Sequence, residues 1–231
     1  MTGWLASVSN VAEASQVIAA GAHIVDAKNP HAGALGALPL ATVRAIVAVA
    51  AGRAPVSATV GDFPSMPPVA VCAAVAEMAA SGVDFIKIGL FPCAELAACL
   101  QALAPLARRH RLVAVLFADL APDFRLPVQL AELGFAGVML DTADKRGGGL
   151  LAHQPPARLA EFVALARSLN LLCGLAGSLK LADIPTLLPL NPDYLGFRGA
   201  MCRAHARTRM LDPDALSALA RAMEQKTAAA A

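Results

Sequence analysis

Residues 67–90 read PPVAVCAAVAEMAASGVDFIKIGL, and the reading of this stretch decides the fold. Its first part is rich in alanine and valine, opens at Pro67 and stops at Gly82, which predicts a helix over 67–81. Its second part is short and β-rich, which predicts a strand over 84–89. Inside that strand Ile86 and Ile88 face one side, so Lys87 must face the other. A lysine at that position is buried at a barrel mouth or interior, or it snorkels to solvent from the strand end. Burying an ammonium is costly unless it is paired or deprotonated.

Working outward, the same alternation recurs along the chain. Strands are predicted near 3–8, 23–27, 55–60, 84–89, 112–118, 136–141, 171–176 and 194–198. Helices are predicted near 10–21, 38–52, 67–81, 93–109, 126–133, 155–170, 179–188 and 213–226. Asn10 can cap the first helix, Pro155 and Pro213 can open later ones, and Gly21 and Gly134 fall at helix stops. Eight strand–helix units of about 28 residues each point to a single (β/α)₈ TIM barrel. A doubly wound open sheet is the rival architecture. No Gly-, Ser- or Pro-rich linker interrupts the tiling, so one domain over 1–231 is expected, with the alanine-rich 227–231 a frayed tail.

Composition excludes several classes. The chain has 231 residues, is 57% hydrophobic and 16% charged, and carries a formal net charge of +2. No basic stripe with interleaved aromatics supports nucleic-acid binding. The apolar runs are far shorter than the roughly 20 residues of a membrane span, and the N-terminus lacks a secretory pattern. Five cysteines without paired spacing read as free thiols, which suits a reducing cytoplasm. Five histidines share no ligand spacing, so no metal is expected. No dinucleotide fingerprint or phosphate loop occurs, so no cofactor is expected either. Apolar helix stretches such as 69–80 and 93–106 fit a homo-oligomer, and fit buried core faces equally well.

In a barrel of this kind, chemistry belongs at the C-terminal strand ends. Of only five lysines, against fourteen arginines, three fall there. Lysine can lose its proton and attack a carbonyl, whereas arginine cannot. Lys28 closes the run Ile24-Val25-Asp26-Ala27-Lys28, and Asp26 is two residues away on the same face, where it would pair with and orient the amine. Lys87 can form an imine or act as a general base. Asp141 ends the sixth strand, and Lys145 follows four residues later on a loop containing Gly147, Gly148 and Gly149. Gly177 and Ser178 follow strand seven, while Arg198, Gly199 and Ala200 follow strand eight. These are the positions where many barrels bind phosphate on backbone N–H groups. The cluster Arg198, Arg203, Arg207 and Arg209 would also suit phosphate. Lys180 reads as a solvated helix residue. The set suits imine chemistry on a small phosphorylated aldehyde or ketone, as in a class I aldolase. A different aldolase or isomerase, or a non-catalytic phosphosugar-binding barrel, are the alternatives.

The segments Ile24 to Pro30, Ser57 to Asp62, Phe85 to Leu90, Leu140 to Ala143, Leu175 to Ser178 and Arg198 to Cys202 resemble those of the (5-formylfuran-3-yl)methyl phosphate synthase family, also called 4-(hydroxymethyl)-2-furancarboxaldehyde-phosphate synthase. The resemblance runs from Trp4 to about Leu219. It implies a metal-free barrel that condenses two molecules of glyceraldehyde 3-phosphate, with loss of phosphate and water, early in the biosynthesis of methanofuran or its bacterial relative. It places the imine-forming lysine on Lys28 and the proton-accepting lysine on Lys87. It places supporting groups on Asp26, Asp141 and Lys145. Two segments depart from the family pattern, the loop Ala118 to Asp123 and the stretch Arg203 to Arg207.

Overall fold

The computed structural model describes residues 2–224, so the predicted tail at 227–231 lies outside the described residues. In chain order the elements are β1 (Gly3–Val8), α1 (Val11–Ala19), β2 (Ile24–Ala27), α2 (Leu40–Ala50), β3 (Val56–Thr59), α3 (Pro68–Ala79), β4 (Phe85–Leu90), α4 (Leu96–Ala107) and β5 (Leu112–Phe117). They continue with α5 (Leu126–Glu132), β6 (Gly137–Asp141), α6 (Leu150–His153), α7 (Pro156–Ser168), β7 (Leu172–Leu175), α8 (Ile184–Leu187), β8 (Tyr194–Phe197) and α9 (Pro213–Glu224). The strands pair in parallel in sequence order and close into a barrel, β8 meeting β1. The (β/α)₈ barrel is therefore the architecture, and the open sheet is not.

Strand alternation divides the core in two. Outward residues such as Trp4, Ile86, Ile88, Leu140 and Leu195 join the helices in the large core between barrel and outer layer. Inward residues such as Leu5, Phe85, Val113, Val115, Phe117, Met139 and Tyr194 fill the barrel itself. Apart from β3, whose inward residues are Ser57 and Thr59, the strands carry apolar residues on both faces, so most of the sequence runs show little polar alternation. Among the described residues, no helix is long and apolar enough to cross a membrane.

Predicted and observed strands agree within about two residues, because Gly and Pro fix the turns on both sides. The predicted helix 179–188 differs. It breaks into a 3₁₀ turn (Leu181–Asp183), the short α8, and a second 3₁₀ turn (Leu188–Leu190). Pro185 and Pro189 remove the N–H groups that a continuous helix would need.

One loop shapes the barrel mouth. The segment after β2 folds back over it, fixed by the Asn29–Gly36 bridge. The Asp62 carboxylate accepts from the N–H groups of Ala34 (2.8 Å) and Leu35 (3.0 Å). The Thr59 hydroxyl donates to the Gly36 carbonyl at 2.8 Å. This drives Leu35, fully buried, into the barrel among Phe117, Val113 and Val115. Gly89 makes room for it: a Cβ there would come within 2.9 Å of Leu35 Cδ1 and 3.0 Å of the Phe117 ring. Phe91 packs on Phe117 with ring centroids 4.6 Å apart. The mouth is thus plugged above β4 and β5 and open on the opposite flank.

Candidate active site

The inward positions of the strands carry the polar residues of the open flank. Register sets Ser7, Asp26 and Ser57 side by side on β1, β2 and β3, and Thr59 beside Lys87. Two tiers of charge result. In the lower tier Lys87 Nζ lies 2.8 Å from Asp26 Oδ1. Ser57 donates to the same oxygen at 2.7 Å, and Ser7 donates to Oδ2 at 2.9 Å. Asp26 is wholly buried and Lys87 nearly so, at 2% exposure. In the upper tier Asp141 sits between two lysines. Lys28 Nζ donates to its Oδ2 at 3.3 Å, and Lys145 and the Thr142 N–H donate to Oδ1.

The expected Asp26–Lys28 pair is therefore corrected. The partners are exchanged: Asp26 holds Lys87, and Asp141 holds Lys28. Asp26 lies two residues deeper than Lys28 and already accepts from an ammonium and two hydroxyls. Lys28, beyond the end of β2, reaches the carboxylate at the end of β6.

Electrostatics follow from these contacts. Burial pushes the Asp26 carboxyl up, but Lys87, Lys28 and the Ser57 hydroxyl outweigh it and hold Asp26 below the ordinary value. Burial also pushes Asp141 up, and Lys145 and Lys28 more than reverse it, leaving Asp141 well below the usual carboxylate range. Both aspartates are therefore anions near neutrality. Burial lowers Lys87 against the opposing pull of Asp26. Burial lowers Lys145 to about 8, with Asp141 pulling up and Lys28 pushing down. The Lys145–Asp141 contact thus favours both charged forms, but for the amine desolvation wins.

These tiers form the floor of a cavity of about 700 Å³. Lys28, Lys87 and Lys145 all line it, as do Gly177, Ser178, Gly199 and Ala200. The lysines and the two loops after β7 and β8, picked separately in the sequence, share one chamber. Gly177 adopts φ +111, and a Cβ there would press on Thr142 at 3.1 Å, so the loop needs glycine. Gly199 and Ala200 open a 3₁₀ turn (Gly199–Met201). Among the described residues, no protein acceptor meets their N–H groups. Lys180, expected as a helix residue, instead sits on the chamber rim just before the 3₁₀ turn at Leu181.

Arg198 is the second correction. It lines the chamber, yet all five of its N–H groups are engaged. Nε donates to the Arg207 carbonyl, Nη1 to Ser7 O and Glu13 Oε2, and Nη2 to Glu13 Oε1 and Arg209 O. Its guanidinium is a clamp and has no donor left for a phosphate.

Sequence reasoning missed Ser7 and Ser57, whose signal was a hydroxyl at an inward position of an apolar strand. It missed Glu13, whose signal was Ser9-Asn10-x-x-Glu13, a capping pattern. Glu13 accepts from Ser9 N at 2.8 Å and from Arg198, while Asn10 caps α1 through the Glu13 N–H. Asp119 lies just past the end of β5. Its two oxygens accept the N–H groups of Ala143 and Asp144, each at 2.7 Å, and so anchor the loop bearing Lys145.

Residues 4–220 match the family described as 4-HFC-P synthase. A protein of Methylorubrum extorquens, provisionally named (5-formylfuran-3-yl)methyl phosphate synthase, is 49% identical over 210 residues, covering 90% of this chain and 86% of its own. The (5-formylfuran-3-yl)methyl phosphate synthase of Methanosarcina mazei is 38% identical, covering 86% and 89%. Among solved structures, phosphoribosyl anthranilate isomerase from Thermus thermophilus superposes with a TM-score of 0.68 at 15% identity, covering 98% of this chain and all of that one. At that identity the likeness speaks for the barrel alone.

Proposed function

The chain belongs to the 4-HFC-P synthase family, and from that premise we propose that it converts two molecules of glyceraldehyde 3-phosphate into (5-formylfuran-3-yl)methyl phosphate through an imine on Lys28. The observation that carries the reading is the two-tier cluster of three lysines and two aspartates at the floor of a chamber whose rim offers free backbone N–H groups. Atom balance requires the loss of one phosphate and two waters. The Lys28 amine adds to one triose carbonyl, and the carbinolamine expels water to give the imine. The imine is an electron sink, so the neighbouring C–H proton becomes removable. Lys87 takes that proton, since burial favours its neutral form and Asp26 stabilises the ammonium that results. The enamine then attacks the second aldehyde. Elimination of phosphate, ring closure and two dehydrations give the aromatic furan, and hydrolysis of the imine takes back the water lost in its formation and frees the aldehyde and Lys28; aromatisation makes the sequence hard to reverse. Lys145 lies beside Lys28 and serves proton transfers at the upper tier, while the Asp141 anion holds both amines in place.

The test is incubation of the pure protein with glyceraldehyde 3-phosphate. A new ultraviolet-absorbing furan aldehyde and inorganic phosphate should accumulate together. Folded protein that yields aldol or isomer products without that chromophore would refute the reaction. Borohydride added during turnover should fix an adduct on Lys28; an adduct mapped to Lys87 or Lys145 would reassign the nucleophile.

A further inference from the structure

With the Arg198 guanidinium fully engaged, the chamber's anion-binding side chain must be sought elsewhere on the strap that follows β8. The strap runs through two 3₁₀ turns (Gly199–Met201 and Arg203–His205) and returns through the Cys202–Leu211 bridge. Ala204 and His205 both hold φ +53, a conformation that costs energy for residues other than glycine and persists only when the surroundings impose it. The Arg198–Glu13 pair is part of those surroundings, because Arg198 grips the carbonyls of Arg207 and Arg209 from below.

Arg207 is thereby turned toward the chamber, which it lines. It is half-buried, and Nη2 donates to the Gly33 carbonyl at 3.0 Å. Among the described residues, no carboxylate forms an ion pair with it. The charges around the chamber are also unbalanced. With every group ionised, Lys28, Lys87, Lys145, Lys180 and Arg207 face Asp26 and Asp141, while Arg198 and Glu13 cancel. Three positive charges are left over, enough to balance one phosphate monoester dianion. A partly desolvated guanidinium with free N–H groups is the side chain best shaped for that anion.

We infer that Arg207 binds a phosphate group in the chamber, and that the Arg198–Glu13 pair is a positioning element acting through Arg207. The inference rests on the proposed reaction only for the identity of the molecule that carries the phosphate.

Inorganic phosphate is the probe, titrated calorimetrically into wild-type protein and variants without turnover. The affinity of wild type should fall about tenfold or more in Arg207→Gln and be partly kept in Arg207→Lys. Arg203→Gln, on the exposed side of the same strap, should bind as wild type does. The Glu13→Gln variant should bind more weakly, and Glu13→Gln combined with Arg207→Gln no more weakly than Arg207→Gln alone, because the pair acts through that residue. Melting temperatures without phosphate separate lost binding from lost folding. Undiminished phosphate binding in folded Arg207→Gln, or no binding by wild type, would overturn the inference. Additive losses in the double variant would overturn the positioning role. Wild type that binds phosphate through Arg207 yet makes no furan would refute the reaction and leave the anion site standing.

Discussion

At the scale of single residues, the site depends on amines whose charge is set by burial. Lys145, lowered to about 8, is poised to titrate in the working range. Its folded value lies below the ordinary lysine value of 10.5, so the unfolded chain holds the proton more tightly. Between about pH 8 and 10.5 the unfolded state therefore binds more protons, and stability from this group rises with pH. Denaturant melts of wild type and Lys145→Met should show the difference moving in favour of wild type across that window; a constant difference would mean that Lys145 is unperturbed. Asp141→Asn removes the anion between Lys28 and Lys145, and kcat should fall by about 100-fold or more while the barrel's circular dichroism is kept. Lys28, Lys87, Asp26 and Asp141 were legible in the sequence because each interrupts or ends an apolar strand. Their pairing was not, since Asp26–Lys87 and Lys28–Asp141 join different strands, and register is a property of the closed sheet.

Among elements, the loops between strands and helices decide how well the site is held. Asp119 ties the β6 loop through two backbone N–H groups. Asp119→Ala should raise hydrogen exchange across 142–149 and lower kcat by about tenfold, because loop and lysine lose their fixed geometry. Unchanged exchange would show the anchor to be idle. The β2 loop is held by the Leu35 plug, and Leu35→Ala should cost about 2–5 kcal/mol in denaturant unfolding through the cavity it leaves. The strands and most helices were legible from apolar runs punctuated by Gly and Pro. The region 179–188 was not: its Leu-rich pattern reads as one helix, but Pro185 and Pro189 break it. The plug was not legible either, because nothing local to Leu35 distinguishes a loop leucine that turns inward.

For the whole molecule, the closed barrel brings several buried carboxylates to one mouth, and this fixes its response to acid. Asp26, Asp141 and Glu13 are all held below the ordinary carboxylate value, against the upward push of burial, Glu13 mainly by Arg198. A depressed folded value means stability that is fully present above the unfolded value and lost as pH falls through the folded one. Melting temperature should therefore hold near neutrality and drop steadily below about pH 4, as protonation leaves the lysines and Arg198 facing one another unpaired. A flat acid profile would contradict the charge arrangement. The barrel itself was legible from eight evenly spaced units; the off-centre chamber was not, since it exists only once one loop fills half of the mouth. That off-centre geometry has a stereochemical consequence. With the mouth above β4 and β5 stoppered, reagents would reach the proposed imine on Lys28 from a single flank and meet only one of its two faces. The furan is flat and keeps no memory of this, but the reduced adduct would: borodeuteride trapping should place deuterium in one configuration, and a racemic label would mean that both faces are open.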